Sequence, residues 1–113
     1  MRAGLLRYAL TLQSRRADDT SVSGAPQRAY ADEGTIRGAV RPLGATERVE
    51  AGRQYGEVSH MVTVRGRYLD PTPAKRWRWH DPRVGRTRYL EIVGVMDWDE
   101  RGKEIRCMCR EAQ

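Results

Sequence analysis

Apolar residues recur at every second position in several short runs of this chain, a period that one face of a β-strand supplies and a helix does not. From Leu5 to Gln13, Leu6, Tyr8, Leu10 and Leu12 share one parity, while Arg7, Thr11 and Gln13 share the other. Thr35–Arg41 carries Ile36 and Val40 before Pro42 closes it, and within Val58–Arg67 the pair Val62 and Val64 opposes Met61, Thr63 and Arg65. Near the C-terminal end, Arg88–Met96 sets Leu90, Ile92 and Met96 against Tyr89, Glu91, Val93 and Val95. Lys103–Arg110 then sets Ile105, Cys107 and Cys109 against Arg106, Met108 and Arg110. The turn formers of Asp97-Trp98-Asp99-Glu100-Arg101-Gly102 lie between them, so the pair reads as a β-hairpin. Five or six such strands predict an all-β fold, a small antiparallel β-barrel or sandwich with long loops.

Two segments break the pattern. Ser14–Gln27 is rich in Arg, Asp, Ser, Thr and Gly, too polar to support a core, and is expected to be a mobile loop. In Gly44–Glu57, Val49 is almost the only aliphatic residue of any size. Gly52 and Gly56 each weaken a helix there by about 1 kcal/mol, so a short helix and an extended excursion stand as equal readings, either one poorly anchored. Residues 14–27 and 44–57 are thus the two expected mobile segments of a single domain spanning 1–113. Asp70-Pro71-Thr72-Pro73 is a rigid turn, because each proline fixes its own φ and pushes the preceding residue toward extended geometry.

The 113 residues carry a net charge of +6, and nineteen arginines against two lysines supply almost all the positive charge. Guanidinium forks suit carboxylates and phosphates. Fifteen interleaved acidic residues, however, offer local pairing, so the basic balance predicts attraction to nucleic acid without specifying a groove. No apolar stretch approaches the roughly 20 residues that cross a bilayer, and Arg7 interrupts any signal-like start, so no membrane partner is expected and synthesis is expected in the cytoplasm.

Chemistry is sparse. Cys107 and Cys109 are the only cysteines, too few for a disulfide framework or a four-cysteine zinc site, and they read as buried reduced thiols on one strand face. His60 and His80 sit in no metal-ligand spacing and beside no plausible nucleophile. Asp97-x-Asp99-x-x-Gly102 fails as a calcium loop, since Arg101 and Met108 occupy ligand positions. No phosphate loop or nucleophile elbow occurs. The expectation is a protein that is not an enzyme, with no catalytic residues, metal or cofactor.

Trp77-Arg78-Trp79-His80 is the sharpest local cluster. Aromatic and Arg side chains are enriched at protein interfaces, so a subunit contact is the first reading. Core cover by Trp77 and Trp79 is the second, and base stacking in a basic nucleic-acid-binding β-barrel is the third.

The order of segments points to a family. Ala3-Gly4-Leu5-Leu6-Arg7 leads into Leu10-Thr11-Leu12-Gln13, and the Thr35–Pro42 strand and the stretch from Gly44 to Gly52 follow. Glu57-Val58-Ser59-His60-Met61-Val62-Thr63-Val64-Arg65 comes next, and the chain closes with the hairpin from Arg88 to Glu111. Over its whole length the chain resembles the head–tail joining (head-closure) proteins of tailed bacteriophages. It departs from them in having Ile36 and Val40 where a tryptophan is often found, and in its bulkier Trp77–His80 segment. The resemblance implies a small β-barrel of the virion neck, assembled as a hexameric or dodecameric ring of identical subunits beneath the portal and adaptor. Such a ring helps retain packaged double-stranded DNA and gives tail terminator or tail proteins a docking surface. On that analogy Arg48 and Arg53 are expected to face the lumen and its DNA. The alternative function remains a small basic nucleic-acid-binding barrel.

Overall fold

A computed structural model describes residues 8–15, 30–65, 69–97 and 104–112. Six strands and one helix follow in order: β1 (Tyr8–Arg15), β2 (Tyr30–Pro42), α1 (Ala45–Tyr55), β3 (His60–Arg65), β4 (Arg76–Asp81), β5 (Arg86–Asp97) and β6 (Glu104–Ala112). Every pairing is antiparallel, and the ladder closes on itself in the order β1-β2-β3-β6-β5-β4. The fold is therefore the barrel rather than the open sandwich. The expected mobile segment 14–27 lies mostly outside the described residues, as does the hairpin turn 98–102. Among the described residues no helix is long and apolar enough to cross a membrane.

The alternating residues fill the interior. Leu10, Leu12, Val62, Val64, Trp77, Trp79, Leu90, Ile92, Cys107 and Cys109 form one buried cluster, with Tyr8, Ile36, Val40, Leu69, Val95 and Ile105 packed against it. A six-stranded barrel is narrow, so this interior is a packed core with no room for a channel. Gly38 shows how close the walls come. A Cβ there would sit 2.6 Å from Leu10 Cδ1 and 2.9 Å from the Thr63 carbonyl oxygen.

One parity expectation fails. Met96 does not share the face of Leu90 and Ile92, because a β-bulge between Ile92 and Gly94 inserts an extra residue into β5. Past the bulge the faces exchange: Val95 turns to the barrel core, while Val93 and Met96 join a second cluster outside it. A one-residue insertion must do this wherever side chains alternate.

The second cluster explains α1. Leu43, Ala51, Val58 and Met108 are buried together, flanked by Tyr55, Met61, Val93 and Met96. The helix thus covers the outer face of β3, β6 and the far half of β5. Its own sequence anchors it lightly. Ala51 is its only buried residue, and Gly44 at the N-cap gives no side-chain oxygen. Glu47 compensates by accepting from the Gly44 N–H at 3.2 Å while holding Arg41 through two hydrogen bonds of 2.9 Å. At the other end Gly56 takes φ 80° and closes the last turn. The Tyr55 ring lies over Gly94, where a Cβ would have no space. Between the helix and the extended reading the structure takes the helix, because Ala51 and Tyr55, four residues apart, reach the same apolar patch.

Candidate functional site

The inward parity of the strands continues past the apolar core to one end of the barrel, and there it carries charge. Beyond Trp79 on β4 comes Asp81, beyond Leu90 on β5 comes Arg88, and beyond Cys109 on β6 comes Glu111. His60 precedes Val62 on β3. Closure of the sheet brings these four together. Arg88 donates to Asp81 at 2.8 Å and to both oxygens of Glu111 at 2.6 and 2.7 Å. Its guanidinium also lies 5.0 Å from the centre of the Trp79 ring, so the ionic layer rests directly on the apolar core. Tyr8 meets the same Trp79 edge to face at 5.1 Å. We call this end the charged mouth.

Its protonation states follow from the partners. Burial works against the Asp81 carboxylate, which has no exposed surface, but the Arg83 backbone N–H and the Arg88 and Arg83 guanidiniums outweigh it and hold the pKa below the ordinary value. Hydrogen bonds from Arg88 lower the Glu111 pKa, and those from Glu111 and Asp81 raise the Arg88 pKa. Burial, reinforced by the positive charge of Arg88, lowers that of His60. The geometry agrees, because Arg88 can only donate and approaches His60 Nε2 at 3.4 Å. That nitrogen must accept, so the ring is neutral and its proton sits on Nδ1, directed at Ser59 Oγ 2.8 Å away. The Glu111 backbone N–H also donates to Ser59 Oγ, at 2.9 Å, which fixes the end of β6 to the start of β3.

This arrangement lacks a nucleophile–base pair aimed at open space. Asp81 and Glu111 are engaged by Arg88, and Ser59 and His60 are held by strand-end contacts. Burial pushes the Cys107 thiol up to about 12, against a hydrogen bond from Trp77, and raises Cys109 well above the ordinary value, so neither is a thiolate. Among the described residues no group of three His, Cys, Asp or Glu side chains is placed to hold a metal.

The cluster Trp77-Arg78-Trp79-His80 is split by the strand on which it sits. Trp77 and Trp79 point inward with 0% exposure, so their rings are core and touch neither a neighbouring subunit nor a nucleobase. That corrects the expected tryptophan subunit contact and removes the stacking platform on which the nucleic-acid alternative relied. Arg78 and His80 face outward. Arg78 pairs with Asp32 at 3.1 Å in an outer network where Gln13 donates to Asp32 and Arg76 donates to Gln13. Arg76 itself is sandwiched between Tyr30 and Tyr89, 3.6 and 4.1 Å from their ring centres.

Arg48 and Arg53 do not form a single patch on α1. Arg48 turns back toward the charged mouth, donating to the Leu43 carbonyl at 3.1 Å and helping to lower the His60 pKa. Arg53 points to solvent and pairs loosely with Glu50 at 3.5 Å. Sequence reasoning missed the charged mouth. Its signal is present, however, as Asp81, Arg88, Glu111 and His60 each continue the inward parity of their strands.

Known folds of this shape were found by comparison. The chain matches the solution structure of protein SF1141 from Shigella flexneri 2a with a TM-score of 0.72 and 21% identity, covering 99% of this chain and 97% of that one. It also matches a chain from the virion of a native gene transfer agent particle with a TM-score of 0.58 and 22% identity, covering 94% and 96%. No curated protein matches the sequence. The family described as phage head completion protein matches residues 1–112, nearly every position of the barrel and of the segments between its strands. This chain belongs to the phage head completion protein family.

Proposed function

We propose that the protein forms a ring in the phage neck, between portal and adaptor on one side and tail on the other. There it helps retain packaged DNA and provides the surface on which the tail docks. Membership of the head completion family makes it a structural protein of the virion. The observation that carries the finer reading is that family match combined with a barrel whose interior is filled by side chains. With no channel or catalytic cleft inside, function falls to the outer surfaces and to the segments that join the strands. On this reading α1 is a lightly anchored element that presents Arg53 and the exposed Val49 to a neighbour or to the lumen. Arg78 and His80 on the outer wall are the residues for a subunit contact.

Imaging of the particle neck tests the position directly: density for this barrel in a ring below the portal is the expected result, and its absence there would sink the reading. The lumen assignment has a separate test. Arg48→Glu with Arg53→Glu should give particles that package DNA but lose it on storage, while the purified variant keeps its thermal melting within a few degrees. Full DNA retention would remove the two arginines from the closure role.

A further inference from the structure

One stretch of sheet edge lies open beside the charged mouth. β4 and β5 pair from Arg76 with Glu91 to Asp81 with Arg86. β5 and β6 pair only from Asp97 with Ile105 to Tyr89 with Ala112. Arg86, Thr87 and Arg88 therefore have β4 on one side and no described strand on the other. In an antiparallel ladder the backbone groups of alternate residues point to opposite sides. This stretch thus presents unpaired donors and acceptors toward the place where β6 has stopped. A cleft of about 580 Å³ opens there, lined by Arg86, Thr87, Arg88, Tyr89, Glu111 and Ala112. An open edge of this kind is a template for an added strand.

Charge selects the strand. Asp81 and Glu111 are the carboxylates at this end, and Arg88 already binds both. Arg86 is exposed, lies near enough to Glu111 to lower its pKa, and forms no ion pair among the described residues. Arg83, 61% exposed, reaches Asp81 only at 3.4 Å. A basic segment laid along β5 would add like charge beside Arg86, whereas an acidic one supplies the carboxylate that Arg86 lacks.

We propose that this cleft docks an extended acidic segment of a partner protein, which adds to the open edge of β5 at Arg86–Arg88 and places a carboxylate on Arg86. The inference stands on strand register and charge and does not depend on the neck assignment. Three strand residues span about 10 Å, so the contact is a short anchor.

The test uses the isolated full chain, isotope-labelled for NMR, and three probes. The first is a nonapeptide of alternating Glu and Val, the second its counterpart with Lys for Glu, and the third the Glu peptide N-methylated at alternate residues along one edge. Amide shifts centred on Arg86–Tyr89 and Glu111–Ala112 with the Glu peptide alone are the expected result. Arg86→Glu should weaken that binding tenfold or more while leaving the rest of the spectrum in place. Four outcomes would overturn the proposal: no shifts at millimolar Glu peptide, equal binding of the Lys peptide, undiminished binding of both N-methylated edges, or the same shifts produced more strongly by a DNA duplex. The last would make the cleft a phosphate site.

Discussion

The two mouths of the barrel are closed by opposite means. At one end the inward positions are Asp81, Arg88, Glu111 and His60, tied by hydrogen bonds of 2.6 to 3.4 Å. At the other, Leu69 from the 69–75 connection folds against the core near Gly34, where a Cβ would come within 2.8 Å of Leu69 Cδ2. Val95 and Ile105 complete that apolar plug, and Pro71 is buried beside it. Burying Leu69 needs only shape, whereas burying Arg88 needs both carboxylates at once. The apolar mouth should therefore degrade gradually on substitution, and the ionic mouth should fail sharply when one member is lost.

Arg88→Met is the most severe way to break the contrast. It leaves Asp81 and Glu111 facing each other without a cation, and a loss of about 3–5 kcal/mol is expected from the cost of orphaning a buried charge. Urea denaturation measures it, and a loss below that of the next variant would show that the ionic layer is dispensable. Leu69→Ala at the apolar mouth should cost about 2 kcal/mol, at the lower end for a leucine because the site is only partly buried.

Acid should separate the two ends without any mutation, by a smaller amount. His60 has a lowered pKa in the fold, so between that value and about 6.5 the unfolded chain binds a proton that the native state does not. Stability is complete above pH 6.5 and declines as the pH falls below it. A second, steeper decline follows as Asp81 and Glu111, whose pKa values are also lowered, take up protons below about pH 4. His60→Gln should flatten the first decline and leave the second. An unchanged profile between pH 6.5 and 5 would mean that His60 does not titrate with unfolding.

The smallest effect concerns the connection that carries Leu69. Ala74 takes φ 78° there, a left-handed conformation costly for any residue with a Cβ. Ala74→Gly relieves that strain but adds freedom to the unfolded chain, so a net gain of about 0.5 kcal/mol is expected by calorimetry. A net loss would mean that the Ala74 methyl group contributes packing.

Much of this was legible in the residues. The alternation of Leu10 with Leu12, Val62 with Val64, Leu90 with Ile92 and Cys107 with Cys109 gave the strands and their inner faces, because a half-buried strand leaves that trace in any sequence. β2 was harder to delimit, since its first five residues, Tyr30–Gly34, pair with β1 while carrying little apolar signal. Trp77 and Trp79 looked like a surface cluster because arginines flank them, and only sheet closure turned one parity wholly inward.

The charged mouth and the open edge of β5 show where local reading stops. Asp81, Arg88, Glu111 and His60 lie on four different strands, and nothing within any one strand says that the other three will meet it. Where β6 stops along β5, and thus which backbone groups go unpaired, depends on register and on the bulge at Gly94. What the sequence determined by itself was the all-β class, the inward parity of most strands and the lack of a local catalytic motif, since each is written in neighbours along the chain. What only the tertiary structure decided was the barrel, its two unlike ends and the accessible edge, since these arise from pairings between residues far apart in sequence.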